Sequence, residues 1–295
     1  MKHYNSIIIG HITDDLNTDY TGQTIHSCGG AVLFSSASAY SLGHRVAAIT
    51  KLSKNDADRL NAFTIDDDDV YCSFCNGSVV MENVYFTKDR DKRKSKCKEF
   101  SEQFTIDDIP EDIDADVYHF AGLLYGDFSD DLIKSVALNR GAVALDVQAC
   151  LRHANKETGE MYFEDWSTKK EMLKYISFLK TDAAEAEILT GTKDRYEAAK
   201  ILYSWGAKEI LITHSSEVLV YDGKSVYTCP IKARDLIGRT GRGDTTFAAY
   251  INERINNNIE DSLLTATATV SLKMETPGPL KCNREDVLDY IKEFY

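Results

Sequence analysis

Short apolar runs at residues 6–9, 47–52, 117–121, 142–146 and 209–213 recur along the chain, with helix-patterned segments between them. Runs so short and uniformly apolar read as buried strands, and a helix after each returns the chain to the same end of the sheet. The alternation is the βαβ pattern of an α/β protein with a mostly parallel sheet. Helices are expected over 31–42, 132–138, 196–205, 262–274 and 285–295, and Gly43 and Gly206 stop the first and third of these. Between 70 and 104, polar and apolar residues alternate and then give way to charge, which reads as short hairpin strands. A length of 295 residues suffices for one large domain or two small ones.

Charge and cysteine usage narrow the class of function. A formal charge of −13 argues against a nucleic-acid partner, because phosphate contacts need clustered Lys and Arg. The one basic run, 88–98, is short and interrupted by acids. No run of 18 apolar residues is present for a membrane span, and the first apolar run is too short for a signal peptide, so a cytoplasmic protein is expected. Seven cysteines in no repeating framework read as reduced thiols. Cys72 and Cys75 form a C-x-x-C pair with no second pair to complete a zinc site.

Chemistry concentrates in the stretch 236–250. Gly238, Gly241 and Gly243 stand directly before the apolar, small-residue run that begins at Phe247. Glycines here let backbone N–H groups turn toward one point at the start of a helix, where the helix dipole also favours an anion. Asp244 lies in that first turn. Its carboxylate either takes a proton from a hydroxyl attacking a phosphoryl group, or simply caps the helix. No Gly-x-x-x-x-Gly-Lys-Ser/Thr loop occurs, and Thr246 stands where a dinucleotide fingerprint needs its third glycine.

Other polar residues fall where strands end. Asp14 and Asp15 follow the first strand and suit ligand hydroxyls, a turn or a helix cap. Gly29 and Gly30 precede the first helix, so a ligand can lie against backbone there. Arg152 follows the strand 142–146 and would meet a phosphate or pair with Asp146. Asp182 and Glu185 stand three apart at the start of a helix, in the spacing of a capping box.

Gly241-Arg242-Gly243-Asp244 before its small-residue helix resembles the Gly-Ala-Gly-Asp signature of the ribokinase and PfkB family of sugar and nucleoside kinases. Three further landmarks occur in the family's order: Gly10 to Asp15 resembles its Gly-x-x-x-x-Asp, Gly29-Gly30 its paired glycines, and Asp182 to Glu185 its Asn-x-x-Glu. The resemblance covers nearly the whole chain. It implies a single ribokinase-like α/β domain over 1–295, with a small β-sheet lid built from about 16–28 and 75–105. It implies an ATP-dependent kinase that transfers the γ-phosphate to a hydroxyl of a small sugar-like substrate. In that reading Asp244 is the base, and Gly241, Arg242, Gly243 and Asp244 form the anion hole. Asp15, Gly29, Gly30, Asn83, Arg93 and Arg152 bind the acceptor, Asp182, Glu185 and Thr213 the ATP, and Glu185 organises Mg²⁺. A homodimer through the lid sheet is also implied.

Three places depart from the family pattern. Phe34 replaces an asparagine that many members carry on the substrate side, and Gly238 replaces an aspartate associated with a monovalent-cation site. Ser215 and Val218 replace both glycines of a Thr-x-Gly-x-x-Gly nucleotide loop that begins at Thr213. The alternatives are a nucleoside kinase, a non-catalytic sugar or nucleotide sensor on the same fold, and a redox or hydrolytic enzyme using Cys72 or Cys75.

Overall fold

The structure, a computed structural model, describes residues 1–87 and 93–295; the first half of the basic run, 88–92, lies outside the described residues. Its strands are β1 (Lys2–Ile9), β2 (Thr13–Thr18), β3 (Thr24–Gly29), β4 (Val46–Ser53), β5 (Val70–Cys75), β6 (Val79–Tyr85), β7 (Arg93–Glu99) and β8 (Ile113–Phe120). There follow β9 (Ala142–Asp146), β10 (Arg152–Ala154), β11 (Met161–Phe163), β12 (Phe178–Asp182), β13 (Glu209–Thr213), β14 (Glu217–Tyr221) and β15 (Val226–Pro230). The helices are α1 (Ala31–Ser41), α2 (Asp130–Asn139), α3 (Gln148–Leu151), α4 (Lys169–Met172), α5 (Ala183–Thr190), α6 (Arg195–Ser204), α7 (Arg242–Glu253), α8 (Ile259–Lys273) and α9 (Arg284–Phe294).

Nine of the described strands form one sheet in the order β15-β14-β13-β12-β9-β8-β1-β4-β5. From β13 to β5 every neighbouring pair is parallel, while β14 and β15 extend the far edge antiparallel. Helices cover both faces, so the central strands carry apolar residues at successive positions: Ile7, Ile8 and Ile9 are each at most 1% exposed. One core gathers α2, α5 and α6 against the sheet. On the other face, α7, α8 and α9 close a second core.

A separate four-stranded sheet, in the order β3-β2-β6-β7, stands over one end of the large sheet as a lid. Its two outer pairs are antiparallel, and its central pair, β2 and β6, is parallel. The buried face of β6 presents Val79, Met81, Asn83 and Tyr85 at alternate positions, the period-2 pattern of a half-buried strand. Two expectations change here. The stretch 70–75 is no lid hairpin: β5 pairs parallel with β4 at the edge of the large sheet. Asp14 and Asp15 lie in neither a turn nor a helix cap, because the lid begins at Thr13 and places both on β2.

Among the described residues no helix is long and apolar enough to cross a membrane.

Candidate active site

The lid and the C-terminal ends of the parallel strands enclose a cleft of about 370 Å³. Asp15, Gly30, Asn83, Arg93, Arg152, Asp182, Thr213, Gly241, Arg242, Gly243 and Asp244 all line it, drawn from segments more than 200 residues apart. Two residues expected in the site stand back from its wall. Gly29 sits directly behind the Asp15 carboxylate, with Oδ2 within 2.3 Å of where a Cβ would lie. Glu185 is 4% exposed beneath Asp182.

The first turn of α7 makes the floor. Gly241 caps the helix at φ 78°, left-handed backbone that glycine adopts without strain, and a Cβ on it would lie 2.2 Å from the Phe34 ring. The Arg242 N–H donates back to the Arg239 carbonyl at 3.3 Å, which withdraws one donor of the expected anion hole and leaves the Gly243 and Asp244 amides in the turn. At the head of α1, Gly30 takes φ 102° with its Cα against the His11 carbonyl, which brings α1 close under the lid. The two helices are tied side by side: the hydroxyls of Ser35 and Ser38 donate to the carbonyls of Asp244 and Thr245 at 3.4 and 2.8 Å.

Burial and the nearby Asp146 push the Asp244 carboxyl up to about 6, against the pull of Lys180, Arg152 and Lys273. It is therefore mostly ionised at neutral pH, yet close enough to neutrality to exchange a proton. Lys180 projects from β12 onto the same floor and holds Asp146 at 2.8 Å. Burial opposes the lysine's charge, but Asp146, Glu185 and Asp244 outweigh it and keep its pKa above the ordinary lysine value. Lys180 thus takes the place beside Asp146 that was one of the two expected for Arg152, the other being a phosphate. Arg152 instead donates through Nε to the Leu123 carbonyl at 2.8 Å.

On the lid side, Thr13 donates to Asp15 at 2.6 Å, while burial raises that carboxyl's pKa. The Asn83 Nδ2 donates to the Asn17 side chain at 3.2 Å, and Ser95 from β7 donates to Asn83 Oδ1 at 2.6 Å. Arg93 donates to the Tyr85 hydroxyl at 3.3 Å. At the other end of the cleft, Asp182 caps α5 through Oδ1, accepting from the Ala184 and Glu185 amides at 2.9 and 2.8 Å. Glu185 completes the capping box by accepting from the Asp182 amide at 2.8 Å, and burial pushes its own carboxyl up to about 7. Thr213 ends β13 beside Asp182. Residues 213–218 then close in a tight turn, with the His214 N–H donating to the Glu217 carbonyl at 3.0 Å.

Sequence reasoning passed over Lys180 and Lys273, both of which act on Asp244. The signal was present in each case: a lysine inside an otherwise apolar strand, and another ending a helix of alanines and threonines, must find partners if buried. The C-x-x-C pair goes the other way. Both cysteines lie on β5, burial pushes the Cys72 thiol up to about 11, and no metal-binding cluster occurs among the described residues. A thiol held protonated makes a poor nucleophile or ligand.

The family description "pfkB family carbohydrate kinase" matches residues 5–286. The chain belongs to the pfkB family of carbohydrate kinases. Its chemistry is therefore phosphoryl transfer to an alcohol, on a small sugar-like acceptor. A pyrophosphate-dependent kinase in the ribokinase family, solved as a sulfate complex, is 34% identical over 96% of this chain and 99% of that one, with a TM-score of 0.86. A pyrophosphate-dependent myo-inositol-1 kinase is 31% identical over 98% of each chain with a TM-score of 0.84; replacing one asparagine and one serine by leucine converts it into a myo-inositol-3 kinase. A cytidine kinase of Thermococcus kodakarensis is 25% identical over 83% of this chain and 86% of that protein.

Proposed function

We propose that this kinase transfers a phosphoryl group from pyrophosphate to a hydroxyl of a cyclic polyol of the myo-inositol type. The observation that carries the reading is the arrangement of the cleft, with Asp244 between the anion-binding turn of α7 and the polar lid residues. The acceptor ring lies under the lid against Asp15, Asn83 and Gly30, with Arg93 and Arg152 at its rim. Asp244 takes the proton of the attacking hydroxyl, and the N–H groups of Gly243 and Asp244, with the Lys180 ammonium, receive the charge that develops on the transferred group. The Arg242 side chain serves the donor, with Arg239 beside it in the cleft.

Two features favour pyrophosphate over ATP as donor. The relatives at 31 to 34% identity are pyrophosphate-dependent. In addition, the expected glycine loop for a nucleotide is replaced by the hydrogen-bonded turn after Thr213. Asn83 and Ser95 face each other across β6 and β7, so we assign to this asparagine–serine pair the choice of which acceptor hydroxyl is presented. Mg²⁺ fits at Asp182, where Oδ1 is committed to the helix cap and the second oxygen is left to join donor phosphates around a hard cation. Glu185 backs it, its carboxyl held by the Asp182 amide. Bound there, the ion would neutralise phosphate charge. A homodimer would form through the lid, whose outer strand β3 exposes Ile25 at 56%.

The relationship to a cytidine kinase supports a second reading, an ATP-dependent nucleoside kinase. The test crosses pyrophosphate and ATP with inositols, sugars and nucleosides, following phosphorylated product. Turnover of an inositol with pyrophosphate supports the first reading. Turnover only with ATP and a nucleoside replaces it with the second.

A further inference from the structure

Lys273 ends α8 and is 1% exposed, an unusual place for an ammonium. Its Nζ donates to the carbonyl oxygens of Gly238, at 2.5 Å, and of Thr240, in the loop that leads into α7. The Phe34 ring lies beneath it, 5.2 Å from Nζ to centroid, close enough for a cation–π contact. The same ring packs on Gly241. Gly238 lets the loop reach α8: its N–H donates to the Met274 carbonyl at 2.8 Å, and a Cβ there would meet the Thr276 carbonyl at 1.9 Å. Phe34 and Gly238, two departures from the family pattern, are thus parts of one assembly around a buried cation.

The assembly has a consequence for the cleft. In a trans peptide the N–H points opposite to the C=O. Holding the Thr240 carbonyl toward α8 therefore aims the Gly241 N–H away from the ammonium, and both residues border the cleft. Without a cation between them, the Gly238 and Thr240 carbonyls, the first of them buried, would repel each other and release the loop.

We propose that Lys273 is a positioning residue for phosphoryl transfer, a built-in monovalent cation that fixes the loop from Gly238 to Gly241 so that the reaction needs no bound alkali ion. The proposal rests on the phosphotransfer reading of this cleft, which turnover by the wild type establishes separately.

The test compares wild type with Lys273→Ala and Lys273→Met at constant ionic strength in Na⁺, K⁺, NH₄⁺ and methylammonium. The wild type should be indifferent to the cation. Lys273→Ala should lose about 10- to 100-fold in kcat, since displacing reacting groups by about 1 Å costs of that order, with the acceptor KM unchanged. K⁺, NH₄⁺ or methylammonium should restore much of the loss, because the two carbonyls remain and space has opened between them. Lys273→Met should be as slow but beyond rescue, its stem filling that space. Wild-type kcat in Lys273→Ala, or a folded but slow Lys273→Ala that no cation restores, overturns the proposal. If neither variant folds, the wild type decides. Burial brings the Lys273 pKa down to about 8, with Asp244 the titratable group that opposes this, so kcat should fall as pH rises through about 8. A flat profile above that pH also overturns the proposal.

Discussion

Replacing Asp244 by Asn should slow the enzyme and stabilise the protein at once. The carboxyl sits at about 6 in the folded chain, against an ordinary value of 3.8. Its ionised form is thus disfavoured by folding: the group's contribution to stability is full below 3.8 and is lost as pH rises through about 6. The difference of about 2.2 pH units, at about 1.4 kcal/mol each, bounds the cost at neutral pH at about 3 kcal/mol. Part of the residue's surface opens on the cleft, so the measured gain will be smaller. An uncharged amide removes that cost, and Asp244→Asn should melt a few degrees above the wild type at pH 7 to 8. Below about pH 4 the two should converge, since the wild-type carboxyl is then neutral as well. Turnover should move the other way, falling about 100- to 10,000-fold for loss of a general base. Thermal melts at several pH values and steady-state assays on the same preparations check both arms. A variant that keeps kcat within about tenfold refutes the base. A variant that melts below the wild type at neutral pH refutes the electrostatic account.

Lys180→Met leaves Asp146, 2% exposed, as an uncompensated buried charge, and should cost about 3 to 5 kcal/mol in denaturant unfolding along with most of the activity. Recovery of stability on adding Asp146→Leu would confirm the cause; an undiminished stability in the single variant would disprove it. Gly241→Ala forces a side chain into left-handed backbone and against Phe34, and should cost roughly 1 to 3 kcal/mol of stability and weaken donor binding. Isothermal titration with pyrophosphate would show it, and unaltered affinity would sink the anion-site reading. Asn83→Leu with Ser95→Leu should move the phosphate to a different acceptor hydroxyl, read by NMR of the product; an unchanged position removes the pair from specificity.

What the sequence disclosed follows from the range of the forces involved. The capping box at Asp182 and Glu185 and the apolar strand at 142–146 are written in adjacent residues, and the structure places both where the spacing put them. The glycine turn before α7 was legible for the same reason, because left-handed backbone leaves a local mark. Partners distant in sequence were another matter. Nothing near Asp146 marks Lys180, 34 residues on, as its partner in preference to Arg152, 6 residues on. The stretch 70–75 is a short, mostly apolar and partly buried strand, and such a run serves a lid and a sheet edge equally well. Phe34 and Gly238 looked like separate losses from a family pattern and Lys273 was passed over, because the contacts joining them link Phe34 to a residue more than 200 positions on and Gly238 to one 35 positions on.

The serine hydroxyls that join α1 to α7 separate two kinds of inheritance. In the proposed reading the head of α1 meets the acceptor and the head of α7 the transferred group, so the gap a phosphoryl group must cross is set by how far one helix can slide along the other. Hydroxyls bonded to main-chain carbonyls resist that sliding more than methyl contacts would, since each bond has a narrow range of length. The lid's polar side chains sit on different strands and take no part in the helix pair. Mutation can therefore retune which molecule is held without retuning how far it stands from the phosphate, and a lineage built this way can change its diet while keeping its chemistry.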